Sequence, residues 1–257
     1  MKVLVTFAID AEFAPWRKLR KFRRMLLGGA RSKDRLPVHR TTIGENDVTV
    51  FLTGMGRPNA AMLGQFAKAA DAEFAISSGT AGALSPELEV GDVIAPKRVG
   101  TFKDSTGIGI RPSLLSFAER RGAKAVDVLL TSDRVIDSAE EKMNLSYFGN
   151  AVDMESAYLM EWLATENIPA MTIRTISDDS DRDLPLNFEE VLTPKGRVRP
   201  IRLAKELWKR PSKTGDLIRF GKQSKRAAEN LAAFLDGFVR FLTPQLLQSE
   251  TRSAGAE

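Results

Sequence analysis

The sequence has 257 residues, of which 43% are hydrophobic and 28% charged, a composition typical of a globular protein. It has no cysteine and one histidine, His39, which excludes disulfide scaffolds, Cys nucleophiles and metal sites that need two imidazoles. The formal net charge is only +5, from 38 basic and 33 acidic residues. Any catalysis must therefore rest on carboxylates, hydroxyls or backbone groups.

The first part of the chain predicts strands alternating with helices. Lys2–Ile9 is apolar and predicts a buried strand, followed by a basic helix that ends at Gly28-Gly29. Val48–Leu52 predicts a second strand, and Asn59 a helix cap leading to a third strand at Phe74–Ser77. The apolar run of the first strand is too short to span a bilayer, so we expect a cytoplasmic protein with no membrane segment.

The same alternation continues to the C-terminus. After a glycine-rich turn at 79–82 and a loop from 100 to 122, the sequence predicts these elements: strands at 92–96, 125–130 and 170–176, and helices at 138–148, 155–166 and 227–242. This pattern predicts an α/β fold with a largely parallel sheet. We expect one domain over residues 1–247 and a flexible tail over 248–257.

Two segments are rich in basic residues, namely 16–24 and 195–213. Such clusters are dense enough for a nucleic-acid or anionic-lipid surface. The alternative for the first is a solvated helix face with Leu19 and Phe22 turned inward, which we expect because such runs usually cover a helix surface. A nucleic-acid partner is therefore the weaker hypothesis.

Three short motifs lack an essential feature. Thr53–Asn59 has two glycines of a dinucleotide-binding turn but not the third. The acidic spacing of residues 179–190 is similar to a calcium loop, but Leu184 occupies the position that requires glycine. No Gly-x-Ser-x-Gly elbow accompanies His39 to support a hydrolase triad. We therefore predict no metal and no cofactor.

Three other segments, taken together, resemble one family. They are Ala8–Glu12 (AIDAE), 78–84 (SGTAGAL) with 90–93 (VGDV), and 152–155 (VDME) with 173–178 (IRTISD). Their order and spacing resemble the purine nucleoside phosphorylase and methylthioadenosine/S-adenosylhomocysteine nucleosidase superfamily, over about residues 1–182. The resemblance implies a three-layer αβα fold with a mixed, largely parallel central sheet. It also implies an enzyme that breaks the N-glycosidic bond of a purine nucleoside. Members of the family are commonly dimers or hexamers, and the short loop from 100 to 122 favours a homodimer here.

The resemblance assigns roles to five residues. Asp178 would be the general acid that protonates purine N7, and Ser177 would orient it. Met154 would pack on the ribose, and Glu155 would accept hydrogen bonds from its 2′ and 3′ hydroxyls. Glu12 would position or activate the attacking water.

Further residues are implied around these groups. Arg174 would orient the ribose-binding glutamate or form a structural salt bridge, and both roles stay open. Gly79 and Thr80 would offer backbone N–H groups and a hydroxyl to the ribose or the nucleophile. Val135 and Ile136 take the place where the nucleosidase branch stacks an aromatic ring on adenine. This difference leaves the natural nucleoside open: methylthioadenosine, S-adenosylhomocysteine, futalosine or an adenosylated lipid.

The nucleophile is predicted to be water. Ser77-Ser78 stands where hexameric phosphorylases of the family carry an arginine, and the N-terminal loop offers Asp10 and Glu12, whose charges would repel phosphate. Phosphorolysis stays open through three arginines that the fold could bring to the site: Arg17, Arg57 and Arg98.

Overall fold

The computed structural model describes residues 1–27, 36–56, 70–104, 106–186, 191, 193 and 214–248. Within them the strands are β1 (Lys2–Phe7), β2 (Arg23–Leu27), β3 (Leu36–Ile43), β4 (Asn46–Leu52), β5 (Phe74–Ala83), β6 (Val93–Thr101), β7 (Ile108–Gly109), β8 (Lys124–Thr131), β9 (Ala151–Asp153) and β10 (Ala170–Asp178). The helices are α1 (Asp10–Leu19), α2 (Pro112–Arg120), α3 (Ala139–Leu145), α4 (Ser156–Thr165), α5 (Thr214–Arg240) and α6 (Gln245–Gln248).

All ten strands belong to one mixed sheet, in the order β10-β6-β8-β9-β5-β1-β4-β3-β2, with β7 paired to β6. An additional pairing of β10 with β5 closes five of them, β5, β10, β6, β8 and β9, into a ring. Among the described residues, five strand pairs are parallel and five are antiparallel. The fold is therefore α/β with a mixed sheet.

Strand β1 lies inside the sheet because its sequence is continuously apolar. It pairs in parallel with β4 on one side and β5 on the other, and Val3 to Phe7 are all buried. Burial of each large apolar side chain contributes about 1.5–3 kcal/mol. The strand ends at Phe7 and the chain turns directly into α1, which places Glu12 at the carboxyl end of the sheet.

The basic N-terminal segment is not one helix, as predicted, but a helix followed by an edge strand. Helix α1 ends at Leu19, and the chain returns as β2, which pairs with β3. Phe22 lies between the two elements and packs edge-on against Phe13 and Trp16. The side chain expected to point inward with it, Leu19, is 55% exposed. The contact of the Phe22 ring with Phe13 and Trp16 favours a turn after Leu19, so the helix ends well before Gly28.

Two of the six cations of this segment form ion pairs with carboxylates. Arg17 donates to Asp10 at 2.5 and 3.1 Å, and Arg20 donates to Asp236 at 2.5 and 2.6 Å. These ion pairs weaken the hypothesis that residues 16–24 form a surface for nucleic acid.

Five further elements were not predicted from the sequence, namely β3, β7, β9, α2 and α6. Strand β3 lies between Gly29 and Val48, where no element was predicted, and the predicted loop from 100 to 122 contains β7 and α2. Helix α2 begins at Pro112 and buries Leu114 and Phe117. Four predicted features lie mostly or wholly outside the described residues: the helix starting at Asn59, the end of the calcium-like spacing, the basic segment 195–213 and the tail.

The long C-terminal helix agrees with its predicted apolar spacing. In α5 the buried positions include Ala227, Leu231, Leu235 and Phe238, whereas Phe241, inside the predicted helix 227–242, follows the observed helix end and is 51% exposed. Within the described ranges, no helix has both the length and the apolar character needed to cross a bilayer.

Candidate active site

A cavity of about 610 Å³ lies beyond the carboxyl ends of β1, β5, β8 and β10, the usual position of ligands in α/β sheets. Eight of the ten residues predicted for the site line it: Glu12, Thr80, Val135, Ile136, Met154, Glu155, Ser177 and Asp178. The other two, Gly79 and Arg174, are buried and contact side chains of the cavity wall. Among the described residues, no three His, Cys, Asp or Glu side chains cluster as a metal ion would require.

Glu12 is held in place by four hydrogen bonds. Its Oε2 accepts from the backbone N–H groups of Ala8 (3.1 Å) and Ile9 (3.3 Å), at the start of α1. Its Oε1 accepts from the N–H and the hydroxyl of Thr80, at 2.8 and 2.9 Å. Glu12 as a whole residue is 8% exposed, and its carboxylate joins α1 to β5 at the cavity wall.

The glycine-rich stretch is part of β5 rather than the predicted turn. Both donors of Thr80 bind Glu12, so they do not point freely at a substrate as expected. Gly79 has φ +151°, and a Cβ there would lie 3.0 Å from Glu12 Oε1. Glycine is therefore needed at position 79 to let the carboxylate approach the strand.

Glu155 is a buried carboxyl group at the N-cap of α4. Its Oε1 accepts a hydrogen bond from the Gly56 N–H at 2.8 Å. Burial, together with the neighbouring Asp153 carboxylate, raises the pKa of Glu155 to about 8, although the Gly56 N–H and Arg174 oppose this effect. Met154 precedes it and is half-buried in the same wall.

Arg174 binds Asp153, so its contacts correspond to the structural salt bridge of the two alternatives. Its Nε donates to Asp153 Oδ2 at 2.9 Å, and its NH2 group donates to Ser156 Oγ (2.7 Å) and Ser77 Oγ (3.1 Å). Asp153, which sequence reasoning missed, also accepts from Thr131. This buried network fixes the β9–α4 junction that carries Glu155.

Asp178 ends β10 where the register with β5 shifts after Ile176. Its Oδ1 accepts from the Ser177 hydroxyl at 2.7 Å. Gly82 of β5 faces the carboxylate, and a Cβ at Gly82 would lie 3.0 Å from Asp178 Oδ2. The irregularity of β10 and the glycine of β5 together allow this carboxyl group to face the cavity.

Lys142, whose ammonium group donates to Asp178, was not predicted from the sequence. The Lys142 side chain is fully buried, and its Nζ lies 2.6 Å from Asp178 Oδ2. It follows the Ser138 cap of α3, whose hydroxyl accepts from the Glu141 N–H at 3.2 Å. A lysine in the first turn of a short helix is usually solvated, so no local signal indicated this contact.

The walls around these groups are mostly apolar. Val135 is half-buried, Ile136 is 6% exposed, and Leu184 lines the cavity near them. Phe220 of α5 supplies an aromatic side chain to the cavity wall. It was not predicted there, because it lies before the predicted helix 227–242. Faces of α1 and α5, with Lys18 and Lys225, complete the lining.

Most of the charged residues considered above as repelling or binding phosphate lie outside the described cavity lining. Asp10 binds Arg17 on the surface and is not in the described lining, and Arg98 is exposed on β6. Arg57 lies outside the described residues. His39 packs its ring 5.0 Å from that of Phe13, away from the described cavity lining.

The model of the phosphorylase superfamily matches residues 26–209, and the chain belongs to this superfamily. Among curated relatives, the 5′-methylthioadenosine/S-adenosylhomocysteine nucleosidase of Marinomonas sp. (strain MWYL1) is 29% identical over 175 residues, 57% of this chain and 74% of that protein. The nucleosidase of the same name from Buchnera aphidicola subsp. Schizaphis graminum is 25% identical over 201 residues, 69% of this chain and 85% of that protein.

Solved structures share the fold. Futalosine hydrolase of Helicobacter pylori strain 26695 has a TM-score of 0.69 at 19% identity, over 94% of this chain and 98% of that one. The 5′-methylthioadenosine/S-adenosylhomocysteine nucleosidase of Neisseria meningitidis, in complex with methylthio-immucillin-A, has a TM-score of 0.68 at 20% identity, over 94% and 99%.

Proposed function

We propose that this protein hydrolyses the N-glycosidic bond of an adenosine-type purine nucleoside. The observation on which this rests is that three carboxyl side chains, Asp178, Glu155 and Glu12, line a single cavity. The names of the relatives, nucleosidase and hydrolase, support the same reaction class.

In this proposal Asp178 is the general acid. Departure of a purine leaves negative charge on the base, which protonation at N7 removes, and a positioned acid contributes typically 10²–10⁴-fold to such a step. The hydrogen bond from Ser177 to Oδ1 supports a fixed orientation for the carboxyl group. The apolar walls at Val135, Ile136 and Leu184 suit a flat heterocycle beside it.

Glu155 and Met154 would bind the ribose. A carboxylate can accept hydrogen bonds from two adjacent hydroxyls at once, and these contacts strengthen the hold on the sugar as positive charge develops on it. Because the pKa of Glu155 is about 8 in the free protein, binding in this way favours loss of its proton. We therefore expect kcat/KM to rise with pH towards that value.

Glu12 would position the attacking water. Four donors fix its carboxylate in a buried position on the cavity wall. A negative group at this place disfavours a phosphate dianion, which supports water over phosphate as the nucleophile. The faces of α1 and α5, with Phe220, would enclose the 5′ substituent.

The test is a panel of adenosine-type nucleosides, including methylthioadenosine, S-adenosylhomocysteine and futalosine, incubated with and without phosphate. We expect release of free base and free sugar that does not depend on phosphate. A phosphate requirement with formation of a sugar 1-phosphate would instead assign phosphorolysis. Absence of turnover across the panel would contradict the proposal.

We further infer the finer features expected from the sequence: a three-layer arrangement with a largely parallel centre, a single domain over 1–247, a cytoplasmic location and a homodimer. Helices α4 and α5, which pack against β5, β6 and β10, support the layered arrangement. Light scattering on the purified protein tests the dimer.

A further inference from the structure

Lys142 is unusual because a lysine is rarely buried without exposure of its ammonium group. Its side chain is 0% exposed, whereas that of its partner Asp178 is 13% exposed and faces the cavity. The Lys142 Nζ lies 2.6 Å from Asp178 Oδ2, 2.6 Å from the Asp179 carbonyl oxygen and 3.2 Å from that of Arg182. Each of its three N–H groups therefore has an acceptor.

These contacts hold the carboxyl group of Asp178 from the side opposite to Ser177. Oδ2 accepts from Lys142, and Oδ1 accepts from the Ser177 hydroxyl. The two carbonyl contacts also attach the chain after β10 to helix α3. Removing an ammonium group from water is costly unless the group is paired. If the side chain at position 142 only packed helix α3 against the sheet, an apolar residue would do so at a lower cost in free energy.

We propose that Lys142 is a positioning residue for Asp178, which fixes the carboxyl group towards the base and balances the negative charge left there after proton transfer. The inference rests on the proposed function. In the step it assists, the C1′–N9 bond breaks and its electron pair goes to the base, while the proton of Asp178 moves to N7. The carboxylate that remains is ion-paired with the Lys142 ammonium until a proton released by the attacking water restores the acid.

The test compares Lys142→Met in two backgrounds, the wild type and Asp178→Asn, using the nucleoside that the wild type hydrolyses fastest. If Lys142 acts through Asp178, Lys142→Met lowers kcat at least about tenfold in the wild type, with KM changed less than about threefold. In the Asp178→Asn background the same change lowers kcat less than about threefold, because the group it serves is already gone.

Lys97→Met is the matched control, since Lys97 forms an exposed ion pair with Asp127, 2.8 Å long, outside the described cavity lining. It is expected to leave kcat unchanged. Thermal melts establish that each variant is folded. If Lys142→Met does not fold, Lys142→Gln, which keeps donors at this position, replaces it in both backgrounds.

Three outcomes separate the possibilities. An equal loss of kcat in both backgrounds, or a loss below threefold in the wild type, would overturn the role of Lys142 while Asp178→Asn still tests the proposed function. No base release by the wild-type protein would overturn the proposed function, and this inference with it. A large loss confined to the wild-type background supports both.

Discussion

At the scale of single residues, Glu155 illustrates how a binding group opposes folding. Its pKa is about 8 in the folded protein, compared with 4.5 for an ordinary glutamate. Between these values the folded state holds a proton that the unfolded chain has released, so the stability of the fold decreases as pH rises from 4.5 to 8. A shift of this size corresponds to a few kcal/mol, at about 1.4 kcal/mol for each pH unit.

Glu155→Gln tests this residue, because the amide has similar shape but does not ionise. We expect the variant to gain on the order of 2 kcal/mol or more in unfolding free energy over the wild type at pH 9, and little at pH 5. It should lose about 100-fold or more in kcat/KM. The neutral amide has only one accepting oxygen and no charge, so it binds the two ribose hydroxyls more weakly than an ionised carboxylate does.

Urea unfolding at the two pH values measures the stability difference. Glu161→Gln, an exposed position on the same helix, serves as the control and should match the wild type at both. A stability difference for Glu155→Gln that is the same at pH 5 and pH 9 would show that the carboxyl does not titrate as described.

Which residues line the cavity could be predicted from the sequence better than which residues they bind. Met154-Glu155 and Ser177-Asp178 could be proposed for the site because their motifs resemble those of a known family, and the resemblance implies their roles. Lys142 could not, because its partner is 36 residues further along the chain and nothing near it requires a buried cation. For Arg174 the residue type allowed two roles, and only the fold distinguishes Asp153 from Glu155 as its partner.

At the scale of elements, β5 pairs with the two strands that lead to Glu155 and to Asp178. It pairs with β10 and β9, so Gly82 is next to both Val152 and Asp178. The sequence pattern of several small residues with two glycines predicted a turn, since glycine favours turns. Here the glycines serve a close approach instead, a requirement that depends on neighbouring strands and is not visible locally.

Gly82→Ala tests this close approach. The added Cβ would lie 3.0 Å from Asp178 Oδ2, which must move aside, whereas the backbone at Gly82 is not in the left-handed region. We expect kcat to fall about tenfold or more, as small misplacements of reacting groups do, with stability changed by no more than about 1 kcal/mol.

Gly109→Ala is the control, because a Cβ there meets no atom within 4 Å. Steady-state kinetics and urea unfolding of both variants provide the comparison. Wild-type kcat in Gly82→Ala would mean that the orientation of Asp178 does not limit the reaction.

At the scale of the whole molecule, an ion pair joins the two helices that enclose the cavity. Asp236 of α5 accepts from Arg20 at 2.5 and 2.6 Å and from the Trp16 indole at 3.4 Å. The apolar spacing of α5 could be predicted from sequence. Its contact with α1 could not, because the paired residues are 216 positions apart and only the folded sheet brings them together.

Asp236→Asn tests this connection. The hydrogen bond from Arg20 lowers the pKa of Asp236, so the pair stabilises the fold above the ordinary value near 3.8 and loses that effect as pH falls through the lowered value. Because the Arg20 side chain is 34% exposed, we expect the variant to lose only about 1 kcal/mol at pH 7. Urea unfolding should show a smaller difference at pH 3, and a difference that grows on acidification would contradict this assignment.

The central claim is that Asp178 protonates the departing base. The most direct measurement is free-base release from an adenosine-type nucleoside in phosphate-free buffer by wild type, Asp178→Asn and the exposed control Asp181→Asn. We expect the wild type and Asp181→Asn to release base at equal rates and Asp178→Asn to be slower by about 100-fold or more. Equal rates for Asp178→Asn and the wild type would contradict the account.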